Sequence, residues 1–104
     1  MEDHAVIAHF SYHGEDLEAL YELEDLLTDK IAELRVGEFD GNEIASDLSD
    51  GSFYMYGPDA EKLFSAVRPL LEAAACLSNV RVNLRYGPPE DGVAERTEVI
   101  ENRD

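Results

Sequence analysis

The sequence is poor in cysteine and has no long apolar run. Cys76 is its single cysteine, so the chain forms no intrachain disulfide and no cysteine metal cluster. The apolar neighbours of Cys76 predict a half-buried core thiol rather than a nucleophile. No segment approaches the roughly 18 apolar residues of a membrane span, and the acidic N-terminus lacks the basic start of a secretion signal. These absences favour a cytoplasmic protein without a membrane partner.

Positive charge is also scarce, because 8 Lys and Arg stand against 24 Asp and Glu, a net charge of −16. Neutralisation of phosphates supplies much of the affinity for nucleic acid, so this balance argues against a nucleic-acid partner. Three interpretations remain: a solvated acidic surface that maintains solubility, a docking surface for a basic protein, or attraction of metal cations. The first is the ordinary explanation of such a composition.

Length and composition fit one domain, since 104 residues with 44% hydrophobic content suffice for a modest core. We expect the core within residues 5–87. Residues 88–101 form a loop and a candidate edge strand, and residues 102–104 a frayed tail.

Hydrophobic periodicity predicts the first strand at residues 5–12, with the Phe10 face under the helices. The HGED segment at His13 then predicts a helix, in which acids lie near the start and Lys30 and Arg35 near the end. Apolar residues at intervals of three and four predict its buried stripe, which consists of Leu17, Leu20, Tyr21, Leu23, Leu27, Ile31 and Leu34.

Residues 35–57 predict a β-hairpin with an acidic first strand and an aromatic second strand. Val36 and Phe39 anchor the first of these strands, and Gly41 within it indicates a bulge. Residues 46–51 predict the turn, and residues 53–56 the third strand of the chain, with Phe53 and Met55 pointing inward.

The second helix opens at Gly57-Pro58, where proline suits a first helical turn. Pro69 lies inside this helix and predicts a kink, because proline removes a backbone hydrogen bond. Ser78-Asn79 breaks the helix, residues 80–86 alternate as the fourth strand, and residues 95–101 are a candidate fifth strand pairing with the fourth as an edge. The stripe of the second helix consists of Ala60, Leu63, Phe64, Val67, Leu70, Leu71 and Ala74.

The predicted fold class is therefore α+β with the ferredoxin-like order βαββαβ. We expect an antiparallel sheet in the strand order 4-1-3-2, with both helices on one face and the other face open.

Three segments carry a resemblance to known proteins: GEFDGNEIA at residues 37–45, YMYGPDAEKLF at 54–64, and LRYGPPEDG at 84–92. They resemble a family of small bacterial proteins of uncharacterised function. The resemblance implies a compact single domain and assigns no functional residue.

The open face is the candidate binding surface. Tyrosine offers contact area with a hydrogen-bonding tip, as binding surfaces often require, whereas cross-strand polar pairs that maintain solubility are the ordinary alternative. The tyrosines also imitate part of a base-stacking RNA surface, although the charge opposes that function. The predicted order places Arg81 and Arg85 at one edge, His9 near the middle beside Tyr54 and Tyr56, and Glu38 and Asp40 toward the other edge.

Catalysis and metal binding are the alternative chemistry. His9, with His13 or with the acids Glu38, Asp40 and Glu43, supplies competent ligands or an acid–base set. No pair has a diagnostic metal spacing, and we expect neither metal nor cofactor. The sequence therefore predicts a non-catalytic protein-interaction or regulatory module whose partner is a basic protein or a second copy. The alternative is a small enzyme or metabolite-binding domain centred on His9, Glu38, Asp40 and Glu43.

Overall fold

The computed structural model describes residues 3–101 and shows an α+β fold. Two helices accompany one five-stranded antiparallel sheet of order β2-β3-β1-β4-β5. The candidate fifth strand is confirmed, and its addition makes the element order βαββαββ rather than βαββαβ. The predicted tail at residues 102–104 lies outside the described part. The elements are β1 (His4–Tyr12), α1 (Glu18–Leu34), β2 (Glu38–Ile44), β3 (Asp50–Gly57), α2 (Ala60–Ala73), β4 (Leu77–Arg85) and β5 (Glu95–Ile100).

One face of the sheet packs against the helices and forms the core. Phe10 and its alternating neighbours are buried there, as the sequence predicts, and Phe53 and Met55 of β3 are fully buried beside them. Among residues 3–101 no polar or charged side chain is buried. The core is therefore wholly apolar, and each large side chain in it contributes about 1.5–3 kcal/mol of transfer free energy.

Helix α1 begins later than predicted, at Glu18 rather than in the HGED segment. The preceding residues form a turn, in which the Asp16 carboxylate accepts the Glu18 N–H at 3.0 Å and Tyr12 donates its hydroxyl to the Asp16 carbonyl at 2.6 Å. The predicted burial is wrong for two members of the stripe, since Tyr21 is 53% exposed and Leu34 is 50% exposed. Tyr21 lies 100° around the helix from Leu20, and Leu34 is in the last turn, where the chain leaves the helix.

The β2–β3 hairpin contains the predicted bulge. The register shifts between Phe39 and Gly41, and Gly41 has a φ of 137°, a region that favours glycine. Asp40 is the extra residue. The shift turns Asn42 toward α1, where its amide donates to Glu24, and leaves Glu43 on the opposite face. Strand β3 starts at Asp50, so the predicted turn was too long.

Helix α2 and strand β4 differ from prediction at their starts. Asp59 is the N-cap and accepts the Lys62 N–H at 3.1 Å, so Pro58 lies before the helix rather than in its first turn. Strand β4 begins at Leu77, and Asn79, predicted to break the helix, sits within the strand with a φ of 52°. Pro69 does lie inside α2. Neither helix in residues 3–101 is long and apolar enough to cross a membrane.

An ion-pair network ties α2 to β5. Arg96 donates to both carboxylate oxygens of Glu61, at 2.7 and 2.9 Å, and the Tyr86 hydroxyl donates to the same carboxylate. The hydrogen bond from Tyr86, together with Arg96, holds the pKa of Glu61 below its usual range. A depressed carboxyl pKa stabilises the fold above the ordinary glutamate value, and this stabilisation is lost as the pH falls through the depressed pKa.

We therefore expect Glu61→Gln to lower the Tm in neutral solution, with the difference from wild type shrinking as the pH falls through the depressed pKa of Glu61, because the carboxyl group is then protonated in both states. Thermal melts across the pH range followed by circular dichroism measure this. Glu22→Gln, on the exposed side of α1, is the control and should show a smaller dependence. A Tm difference that stays constant down to acid pH would contradict the assigned ion pair.

Candidate functional site

No described element covers the face of the sheet away from the helices. The strand register arranges its side chains in rows across the strands, and three of these rows span all five strands. We name them by position along the strands. The central row is Glu43, Ser52, His9, Arg81 and Val99; the middle row is Gly41, Tyr54, Ile7, Asn83 and Thr97; the terminal row is Glu38, Tyr56, Ala5, Arg85 and Glu95.

A shallow depression of about 790 Å³ lies over the central row. His9 is exposed in it, and its Nδ1 shares a hydrogen bond of 2.7 Å with the Ser52 hydroxyl. Glu43 and Arg81 also line the depression, on opposite sides of this pair. The floor thus presents an acid, a hydroxyl, an imidazole and a guanidinium in one line across the sheet.

Several cations of the described residues form no ion pair, and two of them, Arg81 and Arg85, lie on the open sheet face. Lys30, Arg68 and Arg96 form ion pairs with carboxylates. No such pair involves Arg81 or Arg85 within the described residues, although Arg85 donates through Nε to the Gly87 carbonyl at 2.8 Å. Two guanidinium groups without carboxylate partners are thus held on one sheet face of a protein that has acids in threefold excess.

The predicted site residues are only partly brought together. His9, Glu43 and Arg81 line the depression, whereas Asp40 is the exposed extra residue of the bulge on the edge strand. Residues on the same face outside the depression are Glu38, Tyr54, Tyr56 and Arg85.

Two predicted neighbour relations are wrong. Tyr54 and Tyr56 pair with Ile7 and Ala5, not with His9, because the β1–β3 register places Ser52 opposite His9. Arg81 and Arg85 are not at an edge, because β5 pairs along β4 and makes it an interior strand.

Comparisons with family models, with curated proteins and with solved structures find no match. A function can therefore be proposed only from the geometry of the open face.

Sequence reasoning missed several polar side chains that line the depression. Among them, Ser52 lay between the predicted turn and the predicted third strand and was assigned to neither, and Asn79 was assigned to a helix break. Asn83 was placed outward between the two arginines but was not assigned to a site. Extending the alternation of the third strand backward from Tyr54 would have placed Ser52 on the same face.

The arrangement offers little for catalysis. The hydroxyl and imidazole of Ser52 and His9 are in contact, but Glu43 lies on the Ser52 side of the pair, where it cannot orient His9. Across residues 3–101 no group of three or more His, Cys, Asp or Glu is placed to hold a metal ion. Cys76 is half-buried, as predicted, and burial raises the pKa of its thiol, which makes it a poorer nucleophile.

Proposed function

We propose that the protein is a non-catalytic interaction module that binds a protein through its open sheet face. The single observation that carries this proposal is the open face itself. No described helix covers it, and it presents aromatic side chains together with charged side chains of both signs. Tyr54 and Tyr56 are half-buried there, with Ile7 between β3 and β4. Aromatic residues and arginine are enriched at protein interfaces, and both types occur on this face.

The shape of the face favours a macromolecular partner over a metabolite. Small-molecule sites are concave and bury most of their ligand, whereas this depression lies on an uncovered sheet face and is open to solvent. The enzyme alternative needs Glu38 and Asp40 near His9. Glu38 is in the terminal row and Asp40 on the edge-strand bulge, which separates both acids from the imidazole.

The exposed acids of β2 favour a partner that places positive side chains opposite them. Glu38 and Glu43 are exposed along β2, and the exposed side of α1 carries further acids on the opposite face of the sheet. Complementary charge speeds encounter and fixes orientation more than it adds affinity.

A capture experiment with the tagged chain tests the proposal. We expect Tyr54→Ala with Tyr56→Ala to abolish retention of a protein that wild type binds, since truncating central aromatic residues typically costs 2 kcal/mol or more of binding, roughly a thirtyfold loss. Lysate of the native host, followed by mass spectrometry, provides the readout. Untagged copies of the same chain are counted as a partner.

Tyr21→Ala is the matched control, because Tyr21 is 53% exposed on α1, away from the sheet face. The control should retain what wild type retains. If the double variant keeps every association of wild type, or if Tyr21→Ala loses the same ones, the sheet-face proposal is wrong.

We also propose two finer assignments. The first is that β1 to β4 and the two helices form a ferredoxin-like unit to which β5 is added; the adjacency of β1 to both β3 and β4 supports this. The second is that the chain is related to the small bacterial proteins that its three segments resemble. An experimental structure of this chain in which β1 does not lie between β3 and β4 would contradict the first assignment, and one of such a bacterial protein with a different strand order would contradict the second.

A further inference from the structure

We infer that the occupant of the open face is a second copy of this chain, stacked face to face about a twofold axis. The inference rests on the proposed function, namely that this face binds a protein. The axis runs roughly parallel to the strands and lies between β3 and β1. Stacked sheets pack about 10 Å apart with their strands within about 30° of each other.

The sheet order fixes which strands meet. A twofold axis parallel to the strands reverses the strand order and preserves the height along each strand. With the axis between β3 and β1, β2 lies over β4 of the second copy and β3 lies over its β1. Each row of the face is therefore superposed on the same row of the second copy.

The charges on the face complement each other under this operation. In the central row Glu43 meets Arg81 of the second copy, and in the terminal row Glu38 meets Arg85 of the second copy. Because of the twofold symmetry, each of these two contacts occurs twice in the dimer. Neither arginine has a carboxylate partner among the described residues of one copy, and an acid occupies the matching place on β2 in both rows.

The centre of the face is complementary in size. Tyr54 meets Ile7 of the second copy, and Tyr56 meets Ala5 of the second copy. Ala5 is the smallest side chain of its row, and its neighbours already cover it. Gly41 meets Asn83 of the second copy, and a side chain at Gly41 would have nothing within 4 Å of its Cβ. A large side chain thus faces a smaller one at the middle of each row.

The other surfaces are unsuited to self-association. Asp40 and the bulge interrupt the β2 edge, and the β5 edge carries Glu95, Arg96 and Glu98. Bulges and charges of this kind discourage edge-to-edge pairing. The acidic side of α1 is on the far face of the sheet, so face-to-face stacking holds the helices of the two copies apart and limits repulsion between two chains of −16.

The overlap is small for a stable dimer. Four strands spaced by about 4.8 Å, each contributing about six residues of 3.4 Å, cover an area of about 20 by 20 Å. Standard interfaces bury about 800 Å² per partner, so a footprint of about 400 Å² lies below the standard range, and we expect a weak dimer with a micromolar Kd.

Sedimentation velocity of the full chain over a range from about 1 to about 500 µM tests this, since a micromolar dimer dissociates within it. Wild type should change from monomer to dimer. Glu43→Arg and Arg81→Glu should each weaken the dimer by at least about tenfold, because each creates like-charge contacts in both symmetric pairs. An equimolar mixture of the two variants should restore a dimer, since each mixed pair again joins an arginine to a glutamate.

Glu22→Arg is the control, because it makes the same charge change as Glu43→Arg on exposed α1. It should dimerise at least as well as wild type. The variant with both Glu43→Arg and Arg81→Glu should form a homodimer, and circular dichroism confirms that all variants are folded.

Three results would overturn the inference: wild type stays monomeric at the highest concentration, the single variants dimerise as wild type does, or the mixture fails to restore the dimer. A monomeric wild type that still captures another protein in a tyrosine-dependent manner would refute the second copy and leave the proposed function standing. A monomeric wild type that also captures no protein in a tyrosine-dependent manner would refute both the second copy and the proposed function.

Discussion

Replacement of Phe53 by Ala is expected to lower the free energy of unfolding by about 3–5 kcal/mol, the usual range for a fully buried phenylalanine. Phe53 has no exposed surface and lies in β3, the second strand of the sheet. Its ring is 4.6 Å from that of Phe10 and 5.7 Å from that of Phe39, so truncation leaves a cavity between three strands. Domains of this size are stable by only about 5–15 kcal/mol, so the loss is a large fraction of the total.

Urea denaturation followed by circular dichroism measures the effect as a lower midpoint with little change in slope. Phe53→Leu retains most of the volume and should cost less than about 2 kcal/mol, which keeps the comparison measurable if Phe53→Ala is unfolded. Equal stability of the alanine variant and wild type would mean that this part of the sheet is not the centre of the core.

Gly37→Ala is expected to destabilise the fold by about 3 kcal/mol or more, through backbone strain of about 1–3 kcal/mol together with a steric clash. Gly37 has a φ of 150°, which side chains other than glycine rarely adopt. A Cβ there would also lie well inside contact distance of the Tyr56 carbonyl oxygen. That oxygen belongs to the backbone of β3, so relief requires separating β2 from β3 rather than turning a side chain.

Gly41→Ala separates the two contributions. Gly41 has a comparable φ of 137°, but a Cβ there would meet nothing within 4 Å. We therefore expect a cost of about 1–2 kcal/mol from strain alone. Denaturation midpoints of the two variants, measured in parallel, should differ clearly. Equal midpoints would show that the approach of the two strands at Gly37 is looser than the structure has it.

Alternation along the strands was the most informative feature of the sequence. The apolar positions of residues 5–12 correctly placed Phe10 inward and His9 outward. The same reasoning placed Tyr54, Tyr56 and both sheet arginines on one face, because side chains alternate with a period of two in every strand. The residue types that form the candidate site were therefore largely predictable.

Register was not predictable to the same degree. Which residue lies opposite His9 depends on where β3 starts, and the turn of the hairpin proved shorter than its composition indicated. The identity of the face also depends on the bulge, since one extra residue exchanges the faces of Asn42 and Glu43. A sequence indicates that a bulge is present more readily than it indicates which residue is the extra one.

Helix periodicity failed where the helix meets no neighbour. Tyr21 and Leu34 fit the spacing of the stripe, yet each is at least half exposed. Spacing gives the direction in which a side chain points, whereas burial also requires a neighbouring element at that position along the helix. The tertiary arrangement supplies that second condition, and the sequence of α1 does not contain it.

The position of β1 has a consequence for the order in which this chain acquires structure. The strand made first occupies the middle of the sheet, and its two neighbours begin only at Asp50 and Leu77. Contacts between residues so far apart in sequence close large loops and slow folding. During synthesis β1 therefore cannot pair on one side until β3 has been made. It stays unpaired on its other side until β4 is complete at Arg85. The helices form from local contacts, but the sheet forms late and around β1, the strand that is synthesised first.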